Sequence, residues 1–233
     1  MTELPAGHRT MARSHLGIAA LLGGALGLLL APVMVVIKYM TGWAVVPEPA
    51  WVGPAQHAMG ALLRFASPPG LWMAYGSGYT VALLLMLVGL VGLSRHMRTP
   101  QGRMQSKGYW LVLAGLCLVI PGDAIHTWTW HQNGLMTPTP GTNPVANTAY
   151  AVHMMGMNLL MIGSIIVGVS GLRRRFLAPW LAWSFALVFP AAVLASLTFL
   201  PTTPSGALWL FSLLMVVCGY LLATGRHERL VAA

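Results

Sequence analysis

Charged side chains are scarce in this sequence, and acidic ones are the scarcest. Only 7% of the 233 residues are charged, with 4 Asp or Glu against 13 Lys or Arg. A soluble domain carries about a quarter charged residues, so the composition excludes that class. Intrinsic disorder is excluded as well, because 57% of the residues are hydrophobic. The class that remains is a polytopic membrane protein.

Several motifs that carry common chemistries are also absent. The sequence has no Walker loop, no glycine-rich dinucleotide motif opening a helix, no HExxH and no GxSxG. These absences argue against ATP-driven transport and against zinc or serine proteolysis. The 2 cysteines, Cys117 and Cys218, each lie in a long apolar run without metal-ligand spacing, which is typical of small buried hydrophobic residues.

The sequence is rich in long apolar runs. A bilayer core of about 30 Å requires roughly 20 apolar residues in a helix. Six runs of about that length lie at 16–37, 71–94, 109–130, 148–171, 178–200 and 206–224. The sequence therefore predicts an all-α fold in which residues 1–233 form one transmembrane domain, a six-helix bundle. A shorter apolar segment, 55–65, predicts an interfacial helix in the first outer loop.

Positive charge is concentrated in alternate loops. Lys38 and Arg64 lie on one side of the predicted membrane. The other side carries Arg9, Arg13, Arg95, Arg98, Arg103, Lys107, Arg173, Arg174, Arg175, Arg226 and Arg229. Because positive residues favour the cytoplasmic side, both termini are predicted to be cytoplasmic. This topology accounts for the net charge of +9, so no nucleic-acid partner is predicted.

One acidic residue, Asp123, falls inside a predicted span. A carboxylate there costs about 2.5–3.5 kcal/mol on an insertion scale, so it normally faces the bundle interior and marks a functional site. His126 and Trp130 share its helical face at spacings of three and seven residues. Pro121 and Gly122 precede the acid and favour a kink. Asp123 and His126 are therefore the predicted catalytic pair.

Other polar and aromatic groups are predicted at the same depth. His126 and His153 each lie about five residues from the outer end of their spans, so their imidazoles share one level. Glycines 76, 78 and 156 predict space beside the acid, beneath the outer loop 131–147. The predicted substrate-binding residues are His153, Tyr75, Tyr79, Trp128, Trp130, Tyr150 and His57.

The pattern favours an integral membrane enzyme with an acid–base site in the outer leaflet. A carboxyl group withdrawn from water keeps its proton more readily and can deliver it to a substrate. Aromatic faces stabilise developing positive charge. The predicted reaction is isomerisation or proton-initiated cyclisation of a lipophilic, isoprenoid-like molecule, with no cofactor.

Two other functions are compatible with the same residues. The first is a redox protein in which His126 and His153, with His57 as a further ligand, hold haem or a transition metal. The second is a transporter or an accessory subunit without catalysis of its own. A homo-oligomer or a complex with another subunit is compatible with each of the three functions.

Overall fold

The computed structural model describes residues 15–30, 33, 68–96, 107–132, 144–198 and 205–226. These residues form six α-helices and no strand, which confirms the predicted all-helical class. The helices are α1 (His15–Leu30), α2 (Pro68–His96), α3 (Lys107–Gln132), α4 (Pro144–Arg174), α5 (Pro179–Thr198) and α6 (Ser205–Ala223). The predicted interfacial helix at 55–65, together with His57, lies outside the described residues.

Three of the helices are long and apolar enough to cross a membrane. The stretches concerned are Met73–Leu93 in α2, Lys107–Thr129 in α3 and Asn147–Arg174 in α4. Shorter apolar stretches occupy the other helices, at His15–Leu30, Pro179–Ala191 and Leu208–Ala223. Each of the six predicted spans overlaps one of these helices. The helices α2, α3 and α4 show membrane character most clearly.

Consecutive helices run in opposite directions, and the first helix meets the last. Gly23 of α1 lies against the backbone of Met86 in α2, while Ala20, one turn earlier, lies against Gly89. On its other side α1 is antiparallel to α6, where Gly219 lies against the backbone of Leu21. Further along, α5 packs between α4 and α6. The described helices thus form an antiparallel up-and-down bundle in which α1 packs against α6.

The tightest pairing joins α3 to α4 along a line of small residues, which we call the α3/α4 seam. Its members on α3 are the glycines 108, 115 and 122, and on α4 they are Ala149, Gly156 and Gly163. A Cβ added at Gly115 would lie 2.6 Å from the backbone nitrogen of Leu160. Because seven residues make about two helical turns, the two backbones meet three times on the same faces.

Large side chains fill the space between α5, α6 and their neighbours. The rings of Phe189 and Phe211 lie 6.2 Å apart, and Phe211 is completely buried. Side-chain packing therefore holds α5 against α6, in contrast to the backbone contacts of the seam. Between α3 and α2, the hydroxyl of Tyr109 donates to the carbonyl of Leu90 at 3.0 Å.

One end of the bundle collects the cationic residues. A tight turn joins α4 to α5, and Arg175 within it has φ of 51°, which ends α4 in a left-handed residue. α6 ends in a Schellman motif in which the Arg226 amide donates to the carbonyl of Leu221 at 2.9 Å. The described Lys and Arg residues all lie at this end: Arg95, Lys107, Arg173, Arg174, Arg175 and Arg226.

Candidate functional site

Asp123 lies on the inner face of α3, between the surfaces that contact α4 and α2. Gly122 meets the backbone of His153 in α4, where an added Cβ would lie 2.7 Å from the nitrogen. Thr127 meets Gly76 of α2. At about 100° per residue, Asp123 falls between these two directions. Its Oδ2 atom is buried and has no hydrogen-bond partner in the described part of the chain.

Two buried tyrosines of α2 lie near Asp123. The rings of Tyr75 and Tyr79 are stacked with centroids 5.4 Å apart, as expected for residues one helical turn apart. Their exposed fractions are 4% and 1%. Both lie within electrostatic range of Asp123. The Tyr79 hydroxyl is buried and, like Asp123 Oδ2, lacks a partner among the described residues.

Two histidines, one on α3 and one on α4, lie near each other at this level. His126 and His153 lie within electrostatic range of each other, and both are partly buried. The His126 ring also lies 6.1 Å from the ring of Tyr150, tilted by 42°. The Thr129 hydroxyl donates to the His126 carbonyl at 3.0 Å. The structure thus brings Asp123, both imidazoles and three tyrosines to one level of the bundle.

One residue predicted for this group stands apart from it, and two others cannot be placed. Trp128 is 54% exposed and lies about 140° around α3 from Asp123, so its ring faces away from the acid. The side chain of Trp130 and all of His57 lie outside the described residues. Among the described aromatic side chains, Tyr75 and Tyr79 in α2 are the ones buried near Asp123.

The expectation that glycines leave open space beside the acid is wrong for Gly76 and Gly156, and Gly78 is only loosely covered. A Cβ at Gly76 would overlap the side chain of Thr127, and one at Gly156 would lie 2.7 Å from the carbonyl oxygen of Gly115. At Gly78 it would lie 3.1 Å from the side chain of Leu30. Glycine here lets helices approach closely, so the packed backbones set the position of Asp123.

An apolar groove of about 320 Å³ runs along the outside of the α3/α4 seam, close to the acid. The groove is lined by Pro121, Gly122, Ile125, Pro144, Val145, Thr148, Ala149 and Val152. The Thr148 hydroxyl in its wall is already engaged, because it donates to the Pro144 carbonyl at 2.8 Å. The groove reaches Gly122, whereas the Asp123 side chain lies on the opposite, inner side of the seam.

Sequence reasoning missed the contribution of Thr127 and of Gly122. Thr127 is 4% exposed and packs on Gly76, which joins α3 to α2 one turn from the acid. Gly122, expected to loosen the helix, instead lets α4 approach at His153. The heptad spacing of glycines 108, 115 and 122 was the available signal, since small residues at this spacing mark a helix interface.

Metal-binding potential is limited within the described residues. No three His, Cys, Asp or Glu side chains among them lie close enough to hold one metal ion. Both cysteines are free thiols, and the prediction that they are buried is confirmed for Cys218 and wrong for Cys117, which is exposed. The described residues thus offer a metal two imidazoles, and a further ligand would have to come from elsewhere.

Comparisons with known proteins leave the site to be interpreted from its own chemistry. No family model, no curated protein and no solved structure matches the chain. Function therefore has to be argued from the residues and their geometry.

Proposed function

We propose that all six helices cross the membrane and that both termini are cytoplasmic. Three helices have the required length and composition. The cationic residues of the described part gather at one end of the bundle, and the positive-inside rule places that end in the cytoplasm. Reporter fusions after residues 100, 140 and 226 test this topology. Cytoplasmic, external and cytoplasmic signals are expected, and any other order contradicts it.

We propose that the chain is an integral membrane enzyme with an acid–base site at Asp123 and His126. The observation that carries the proposal is a pair of buried atoms without a hydrogen-bond partner among the described residues, Asp123 Oδ2 and the hydroxyl of Tyr79, which interacts electrostatically with Asp123. A buried polar group without a partner costs about 1–3 kcal/mol, so two such groups together favour a bound ligand or water. Because apolar helices surround them, the expected ligand is lipophilic.

The proposed reaction is isomerisation or proton-initiated cyclisation of an isoprenoid-like molecule. The carboxylic acid of Asp123 donates its proton to one carbon of an alkene, leaving a carbocation. Neutral His126 then removes a proton from an adjacent carbon, which re-forms a double bond, and the proton returns to the Asp123 carboxylate. The faces of Tyr75 and Tyr79 stabilise the cation. His153 and Tyr150 position His126 and the substrate.

Proton exchange with solvent gives an assay that needs no knowledge of the substrate. The purified protein in nanodiscs is incubated in D₂O with the isoprenoid fraction of a total lipid extract, and lipids are analysed by mass spectrometry. We expect wild-type protein to place deuterium in one lipid species, and Asp123→Asn to reduce this by at least about 100-fold. Ser164→Ala, which alters a buried hydroxyl on α4, is the matched control.

Two outcomes would contradict this function. If the wild-type protein places no deuterium in any lipid of the fraction, the proposal that it is an enzyme acting on these lipids is contradicted. Equal uptake by folded Asp123→Asn would remove Asp123 as the acid. Partial recovery in Asp123→Glu, which keeps the carboxyl group, is expected if the proton donor is correctly identified.

A metal-binding redox protein is a second candidate, favoured by the proximity of His126 and His153. Haem held between α3 and α4 would require these helices to part, because Gly122 contacts the His153 backbone at this level. A single transition-metal ion would instead be bound by the two imidazoles, with His57 as the proposed further ligand. A visible spectrum and elemental analysis of the purified protein test both forms.

A non-catalytic transporter or accessory subunit is the third candidate. Its support is the close packing of α3 against α2 and α4 at the level of Asp123 and His126. In that case Asp123→Asn would alter stability without affecting any lipid, and a partner would co-purify at a fixed ratio.

A further inference from the structure

A second groove, larger than that beside the seam, lies between α5 and α6. Its volume is about 550 Å³. The lining residues are Trp180, Trp183, Ser184, Leu187, Val188, Ala191, Leu210, Leu213, Leu214 and Val217. From Trp180 to Ala191 the groove follows α5 for about 16 Å, which is roughly half the thickness of a bilayer core. Its length therefore matches one leaflet.

The wall of this groove is almost entirely apolar. Ser184 is the one hydroxyl in it, and its Oγ donates to the carbonyl of Trp180 at 2.8 Å. The remaining wall is aliphatic or aromatic, and Trp183 and Leu187 are each about half exposed. An apolar chain without hydrogen-bonding groups is the occupant that matches such a wall.

Positive charge lies at one end of the same groove. Trp180 comes five residues after Arg175, and Arg173 and Arg175 are exposed in the turn that leads into α5. Arg226, also exposed, follows α6 at that end. No acidic residue of the described part lies there. Tryptophan next to clustered arginine is typical of a helix end at the headgroup level of a membrane.

We propose that the groove binds an anionic phospholipid. One acyl chain lies along α5 between Trp180 and Ala191, and the phosphate is bound by Arg173, Arg175 and Arg226. A second copy of the chain fits less well, because a two-fold pairing through this face would set two arginine clusters at the same level. The proposal rests on the membrane placement proposed above and not on any chemistry at Asp123.

Native mass spectrometry of the full-length protein tests this site. The protein is released from micelles containing equal amounts of phosphatidylglycerol and phosphatidylcholine with matched acyl chains. We expect retained phosphatidylglycerol on the wild-type protein. Its affinity should fall about fivefold for each arginine replaced in the series Arg173→Gln, Arg175→Gln and Arg226→Gln. Lys107→Gln, at the same end but on α3, should bind as wild type does.

A groove-filling variant separates the acyl-chain contact from the charge. Ala191→Phe places a ring in the groove and should displace phosphatidylglycerol while every arginine remains. Equal retention of the two lipids by wild-type protein would overturn the proposal, as would unchanged selectivity in the triple arginine variant. A dimer in wild-type spectra that Ala191→Phe abolishes would assign the groove to a second copy. Thermal unfolding of each variant confirms that it folds.

Discussion

The α3/α4 seam and the α5/α6 pair reach a packed state by opposite means. In the seam, glycine allows contact between two backbones, and a Cβ at Gly115 would clash with the backbone of α4. Between α5 and α6, Phe189 and Phe211 fill the space between the helices. Backbone contact fixes position more narrowly than side-chain packing, because side chains can change rotamer and backbones cannot. Asp123 and the polar side chains near it lie beside the α3/α4 seam, which is the more narrowly positioned of the two helix pairs.

Removing volume from the aromatic pair should have the largest effect on stability. Phe211→Ala deletes a completely buried ring that contacts Phe189, and the expected loss is about 3 kcal/mol. Thermal unfolding in detergent measures it. Leu213→Ala, on the half-exposed face of the same helix, is the control and should cost much less. Equal losses would mean that the core does not run between α5 and α6.

Adding volume to the seam should have the next largest effect. The added methyl group of Gly115→Ala would lie 2.6 Å from the Leu160 nitrogen, so the helices must separate, at a cost of about 2 kcal/mol. At Gly78 the methyl group would meet only the flexible end of Leu30, at 3.1 Å. Gly78→Ala should therefore be neutral or stabilising, since alanine favours helix over glycine. Similar melting temperatures for the two variants would refute the seam.

Loss of one hydrogen bond between helices should cost less. Tyr109→Phe removes the hydroxyl that donates to the carbonyl of Leu90 and leaves that acceptor buried. The expected destabilisation is about 1 kcal/mol, measured by the same thermal unfolding. Tyr220→Phe changes a tyrosine of α6 that is 47% exposed and should leave the melting temperature unchanged. Equal stability of Tyr109→Phe and wild type would contradict the bond.

The smallest effect is expected at the unpartnered hydroxyl beside Asp123. Tyr79→Phe removes a buried group that makes no bond within the described residues, so detergent-purified protein stripped of lipid should be unchanged or slightly more stable. With the isoprenoid fraction present, wild type should gain stability and Tyr79→Phe should gain less. A marked loss of stability in stripped Tyr79→Phe would show that the hydroxyl is bonded within the protein.

Some of the site followed from the sequence because its members share one helix. Asp123 and His126 are one turn apart, and Tyr75 and Tyr79 are one turn apart, so helical periodicity alone predicts each pair. The meeting of these pairs with His153 needed the tertiary structure, because it depends on how α2 and α4 are rotated against α3. Trp128 shows the limit of predicting site residues from their depth in the membrane. It lies at the depth of Asp123, but its exposed ring is on another face of α3.

Composition and run length by themselves determined the helical class, the sequence positions of the six helices in the described residues and the unusual position of Asp123 inside an apolar helix. These follow from the length of each apolar run and from the burial cost of charge. Tertiary structure alone decided the role of the glycines. A glycine without its neighbours is equally consistent with open space and with close contact, and only the helix packed against it distinguishes the two. The α3/α4 seam, the polar side chains around Asp123 and the α5/α6 groove all depend on which helices pack against each other.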